Sequence, residues 1–111
     1  MTRFEDLSRF TRVCITREGG LVAAPGLMRP RTFDVVECSL DEQNALCHWL
    51  NEGERIGRQA SPGRGDQRYF RICLYKDRDG EASPDEELNV PEDAAPAGVK
   101  ALWEEGRIEP L

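Results

Sequence analysis

The chain has 111 residues, of which 39% are hydrophobic and 32% charged, a size for one domain around one modest core. A folded chain of this mass exposes roughly 6,000 Å² against roughly 18,000 Å² unfolded. No apolar run approaches the ~20 residues needed to cross a bilayer, which excludes a membrane-spanning helix and predicts no membrane partner.

The net charge of −6 is unevenly placed, with 13 basic and 12 acidic side chains in residues 1–80 and 2 against 9 in residues 81–111. The positive residues best grouped for a nucleic acid are Arg55, Arg58, Arg64, Arg68, Arg71 and Lys76. Only Tyr69 and Tyr75 lie among them to stack on bases, so the pattern reads as a solvated loop and strand face and predicts no nucleic-acid partner.

Residues 1–10 mix Arg3, Glu5, Asp6 and Arg9 with isolated apolar side chains and lack the continuous hydrophobic stretch of a secretory signal. They are expected to form an N-terminal extension of a cytoplasmic protein. Thr11 to Arg17, β-branched and alternating, predicts a first strand with Val13 and Ile15 on one face. Gly19 and Gly20 end it, and Pro25, Gly26 and Pro30 make the segment to Pro30 a long loop. Arg31 to Glu37 predicts a second strand, with Phe33 and Val35 on one side, paired antiparallel with the first.

Ser39-Leu40-Asp41-Glu42 has capping-box spacing, so a helix is expected from there, with Leu46, Trp49 and Leu50 as its buried stripe. Asn51, Glu52 and Gly53 read as its C-terminal stop, and Glu54 to Asp66, with Gly57, Pro62, Gly63 and Gly65, as a second long loop. Gln67 to Tyr75 is the clearest strand, its Phe70, Ile72 and Leu74 alternating with Tyr69, Arg71, Cys73 and Tyr75. Asp77 to Gly80 predicts a turn, Glu86 to Val90 a fourth strand, and Pro96 the first turn of a helix. That helix buries Val99, Leu102 and Trp103 and ends near Gly106, with Glu92 and Asp93 placed to favour its positive end.

The expected fold class is α+β: a four-stranded, mostly antiparallel sheet with two helices packed on one face, in the order ββαββα. Residues 11–106 are expected to form the domain and 107–111 a C-terminal tail, with both tryptophans lying in the core.

Catalytic chemistry finds little support. Cys14, Cys38, Cys47 and Cys73 include no Cys-x-x-Cys pair, and the single histidine leaves no zinc set, so no metal, cofactor or structural disulfide is expected. Cys47 and His48 adjoin on a helix, where consecutive side chains diverge by about 100°, a poor geometry for a nucleophile–base pair. No phosphate loop or dinucleotide fingerprint is present. The chain reads as a non-enzymatic scaffold carrying two long loops, an architecture suited to protein binding.

Val13 to Gly20, closing on Thr-Arg-Glu-Gly-Gly, Ser39 to Leu50, the aromatic strand Arg68 to Tyr75, and the last helix preceded by Pro91 and Pro96 together resemble the emfourin family across residues 12–105. That resemblance implies a small cytoplasmic bacterial protein that inhibits protealysin and related thermolysin-like zinc metallopeptidases by blocking the active-site cleft. Such enzymes accept a large apolar residue just after the scissile bond. Leu27 and Met28, held between Pro25 and Pro30 and followed by Arg29, are the side chains the resemblance would send into the cleft; capping of the core edge is an equally open reading.

A standard protease–inhibitor contact takes roughly 20–30 residues a side. The Gly19 to Pro30 loop falls short unless Ile56 to Asp66, with Arg64 facing an acidic cleft, joins it. The expected partner-binding residues are therefore Gly19, Gly20, Leu27, Met28, Arg29 and Arg64. An intracellular adaptor that binds through the acidic C-terminal third is the alternative.

Overall fold

The structure, a computed structural model, describes residues 4–19, 30–59, 68–77 and 83–111. Strands β1 (Arg12–Glu18) and β2 (Arg31–Asp34) are followed by helix α1 (Leu40–Gln59), strands β3 (Tyr69–Tyr75) and β4 (Glu86–Pro91), and helix α2 (Ala97–Glu104). The expected ββαββα order is therefore observed. The sheet runs β2-β1-β3-β4 with every neighbouring pair antiparallel.

Alternation divides the sheet into a covered and an open face. Val13, Ile15, Phe70, Ile72, Leu74, Leu88 and Val90 are buried on the covered face and meet Leu46 and Leu50 of α1 and Val99 and Leu102 of α2. Each such side chain contributes about 1.5–3 kcal/mol by leaving water. Arg12, Cys14, Thr16, Tyr69, Arg71, Cys73 and Tyr75 occupy the alternate positions on β1 and β3. Trp49 and Trp103, expected in the core, are instead half-buried and pack against the core cluster from its rim.

The start of α1 matches its sequence signature. Ser39 Oγ accepts from Glu42 N at 3.1 Å, and Ser39 N donates to Glu42 Oε1 at 2.9 Å, closing the capping box. Its end does not match: the helix continues through Asn51, Glu52 and Gly53 to Gln59, so residues 54–59 are helical where a loop is expected. Gly53 and Gly57 are sites of close approach to the edge strand. A Cβ at Gly53 would stand 3.1 Å from Val90 Cγ2, and one at Gly57 only 2.4 Å from the Asn89 carbonyl oxygen. Asn51 serves the N-terminal segment, accepting from Phe4 N at 2.9 Å and donating to Phe4 O at 2.8 Å.

Through that clamp the extension enters the core. Phe4, Leu7 and Phe10 are at most 2% exposed, and Phe4 and Phe10 meet edge to face at 6.1 Å. β2 is shorter than expected because the Asp34 side chain accepts from Val36 N at 3.0 Å and turns Val35–Glu37 into a 3-10 turn. Val35 stays buried there while Val36 is exposed.

At the C-terminus, Glu105 N donates to Ala101 O at 3.0 Å and Gly106, at φ 66°, takes the chain out of α2. Trp49 Nε1 then donates to Glu109 O at 2.8 Å, holding the tail against α1. A Cβ at Gly98 would fall 1.9 Å from the indole, so α2 seats flat on Trp49 only because residue 98 has no side chain.

Candidate functional site

The register of the central strands fixes where the two long connections attach. β1 ends at Glu18, whose partner across the ladder is Tyr69, the first residue of β3. The connection that follows β1 and the one that precedes β3 therefore join the sheet at the same end and on adjacent strands. Gly19, exposed and at φ 84°, takes the chain out of β1 in a left-handed conformation that a residue with a Cβ rarely adopts. The same edge carries Arg31 at the start of β2 and Pro91 at the end of β4, because Arg31 is level with Ile15 and Pro91 with Tyr69. The last turns of α1 reach it too, through Gly57 at Asn89.

Ion pairs stiffen this end. The Arg17 guanidinium meets the Glu92 carboxylate through both oxygens, at 2.6 and 3.1 Å. Glu92 N also donates to Arg68 O at 3.0 Å, tying the turn after β4 to the entry of β3. Glu92, expected to favour the positive end of α2, is thus engaged by β1. Arg71 bonds Glu87 and lies 3.8 Å from Glu18, so β1, β3 and β4 are cross-linked on the open face as well. Its partners push the Arg71 guanidinium further up, the Glu87 hydrogen bond foremost. The Arg31 guanidinium lies 6.0 Å above the Trp103 ring, fixing the rim between β2 and α2.

Of the residues expected to bind a partner, Gly19 lies at this end of the sheet, while Gly20, Leu27, Met28, Arg29 and Arg64 lie outside the described residues. Ile56, expected to begin the second binding loop, is instead half-buried in α1 and packs on the core. Whether the two connections attach side by side is left open by the sequence and is answered by the register of β1 and β3. Their adjacency in the strand order is encoded by no local pattern.

Cys47 and His48 diverge. The Cys47 thiol points inward and donates to Phe4 O at 3.5 Å, and burial pushes it up, with Asp6 adding to the effect. His48 stands exposed with its ring edge-on to Trp49 at 4.8 Å. Among the described residues no three His, Cys, Asp or Glu side chains group to hold a metal ion, and no helix is long and apolar enough to cross a membrane. A groove of about 320 Å³ lies at the start of α1, between Asp41, Glu42 and Ala45 and the tail residues Ile108, Pro110 and Leu111.

A family model described as Emfourin matches residues 15–107, which runs from the middle of β1 to just past α2. Among solved structures, the chain is similar to one described as emfourin (M4in) from Serratia proteamaculans, an M4 family peptidase inhibitor. The two share 28% identity over 98% of each chain, with a TM-score of 0.46. No curated protein matches the chain significantly.

Proposed function

We propose that this chain, which belongs to the Emfourin family, is a protein inhibitor of a thermolysin-like zinc metallopeptidase and blocks the active-site cleft with the connections at its Gly19 end. Family membership over residues 15–107 is the observation that carries the activity. The pairing of Glu18 with Tyr69 supports the location. A standard inhibitor contact needs about 800 Å² per partner, some 12% of the 6893 Å² surface. Two connections attached side by side reach that figure more readily than the residues between Gly19 and Pro30 alone.

In this reading Leu27 and Met28 fill the apolar subsite next to the catalytic zinc. Pro25 and Pro30 limit the backbone freedom lost on docking, and Arg64 meets carboxylates at the cleft rim. The less exposed Arg17–Glu92 pair helps hold together the strand ends that carry these connections. The chain itself performs no chemistry; it excludes substrate. The acidic-third alternative is weakened because Glu92 pairs with Arg17, Glu87 with Arg71, and Glu105 and Glu109 with Arg107, which leaves less free charge to recruit a basic partner.

Titration of a thermolysin-like protease with the intact chain is the test. Activity is expected to fall in proportion to inhibitor added and to reach its floor near equimolarity, with little relief from moderate salt. Full activity at excess inhibitor across several such enzymes would remove the reading. The double substitution Leu27→Ala and Met28→Ala is expected to weaken inhibition at least tenfold, about 1.4 kcal/mol or more; unchanged inhibition would move the contact elsewhere.

A further inference from the structure

The open face of the sheet sets two thiols directly opposite each other. Cys14 of β1 is the register partner of Cys73 of β3, and all four cysteines are free. Residues so opposed have Cα atoms about 4.5–5.5 Å apart, inside the roughly 4.4–6.8 Å window that a disulfide accepts. Val35 N donates to Thr11 O and Glu92 N to Arg68 O, so Cys14 and Cys73 form a hydrogen-bonded pair. The Cβ atoms of such a pair stand about 5.5 Å apart, and closure to the usual ~3.8 Å draws the two strands together locally. A bond formed that way is strained and easily reduced.

The other two thiols are committed elsewhere. Cys38 donates to Asp34 O at 3.3 Å and Cys47 to Phe4 O at 3.5 Å, and neither faces another cysteine across a ladder. Cys14 is half-buried, with Sγ 3.4 Å from Thr32 Oγ1 on the side away from Cys73. Rotation about its χ1 turns the sulfur from β2 toward β3. Cys73 is only 7% exposed.

We propose that Cys14 and Cys73 form a reversible redox-modification site, closing to an intramolecular disulfide when a small disulfide such as oxidised glutathione is present. The difference in access orders the steps. The Cys14 thiolate, having released its proton to solvent, attacks one sulfur of oxidised glutathione, forms a mixed disulfide and expels one glutathione thiolate. The Cys73 thiolate then attacks Cys14 Sγ, forms the Cys14–Cys73 bond and expels the second. Two protein thiols are oxidised and one glutathione disulfide is reduced to two thiols. Burial holds the Cys73 thiol above its ordinary value, with Glu87 and Cys14 adding to the effect and Arg71 and the Tyr75 hydrogen bond opposing it, so resolution follows capture and quickens as the pH rises.

The inference stands apart from the inhibitor reading and its test does not use a protease. The folded chain is incubated with oxidised glutathione, quenched with acid, and examined by thiol counting in denaturant, intact mass and peptide mapping. The expected product has lost two of its four thiols, is lighter by two hydrogens, and joins the Cys14 and Cys73 peptides. Dithiothreitol restores the starting mass. Cys73→Ala is expected to stop at a single glutathione adduct on Cys14, and Cys14→Ser to give no intramolecular link. Four unreacted thiols, an unresolved adduct on Cys14 in the unmutated chain, or a link through Cys38 or Cys47 would each overturn the proposal. The map of the unmutated chain decides even if a variant folds poorly.

Discussion

Phe70 and Tyr69 are neighbours on β3, yet they belong to different parts of the molecule. Phe70 has no exposed surface and lies beneath the helices, with the Trp103 ring 6.4 Å away. Tyr69 faces the other way, half-buried among Glu18 and Pro91 on the open side. The covered face is apolar and closely packed and carries the stability. The open face is built of ion pairs, threonines, tyrosines and thiols, and its neighbours are linked by polar contacts that water can replace. One strand thus divides its labour residue by residue, which leaves the open side and the sheet ends free to vary without loss of fold.

Four substitutions press on that contrast. The largest effect is expected from Phe70→Ala, which should lower unfolding free energy by about 3–5 kcal/mol, against under about 1 kcal/mol for Tyr69→Ala, both read from urea midpoints at constant slope. Similar losses at the two positions would erase the distinction between the faces. Next comes Gly98→Ala. Its methyl would fall 1.9 Å from a Trp49 indole already held by Glu109 O, and an overpacking cost of about 1–3 kcal/mol is expected in the same assay. A neutral result would show that α2 can shift on α1. The smallest is Arg71→Ala. Its partners Glu87 and Glu18 are about two-fifths exposed like Arg71 itself, so the change should stay within about 0.5 kcal/mol and fade in added salt. A loss as large as that at Gly98 would mean that the open face bears load.

Much of this fold is legible in the sequence because its signals are local. Ser39 and Glu42 name the start of α1 through two hydrogen bonds that involve only those residues. Phe70, Ile72 and Leu74 alternate because one face is covered. The end of α1 is not legible in the same way. Asn51, Glu52 and Gly53 have the composition of a stop, but Asn51 is spent on Phe4, and the glycines at 53 and 57 answer to Val90 and Asn89, some 35 residues away. Ile56, which continues the stripe of Leu46, Trp49 and Leu50, is the local signal that the helix goes on. Burial of Phe4, Leu7 and Phe10 escapes a reading by periodicity because that segment has no regular structure to impose one. For the candidate site, Gly19 is legible as a break in β1. The adjacency of the points where the two connections attach follows from β1 lying beside β3, a tertiary fact.

The bond from Trp49 Nε1 to the Glu109 carbonyl also makes the molecule its own optical probe. An indole whose donor is held by the protein and whose ring is shielded by Gly98 emits from a fixed environment; peeling the last residues away would wet it and shift its fluorescence to the red. Whether the carboxy-terminal strap stays seated on α1 can therefore be followed, against the second emitter Trp103, without attaching any dye.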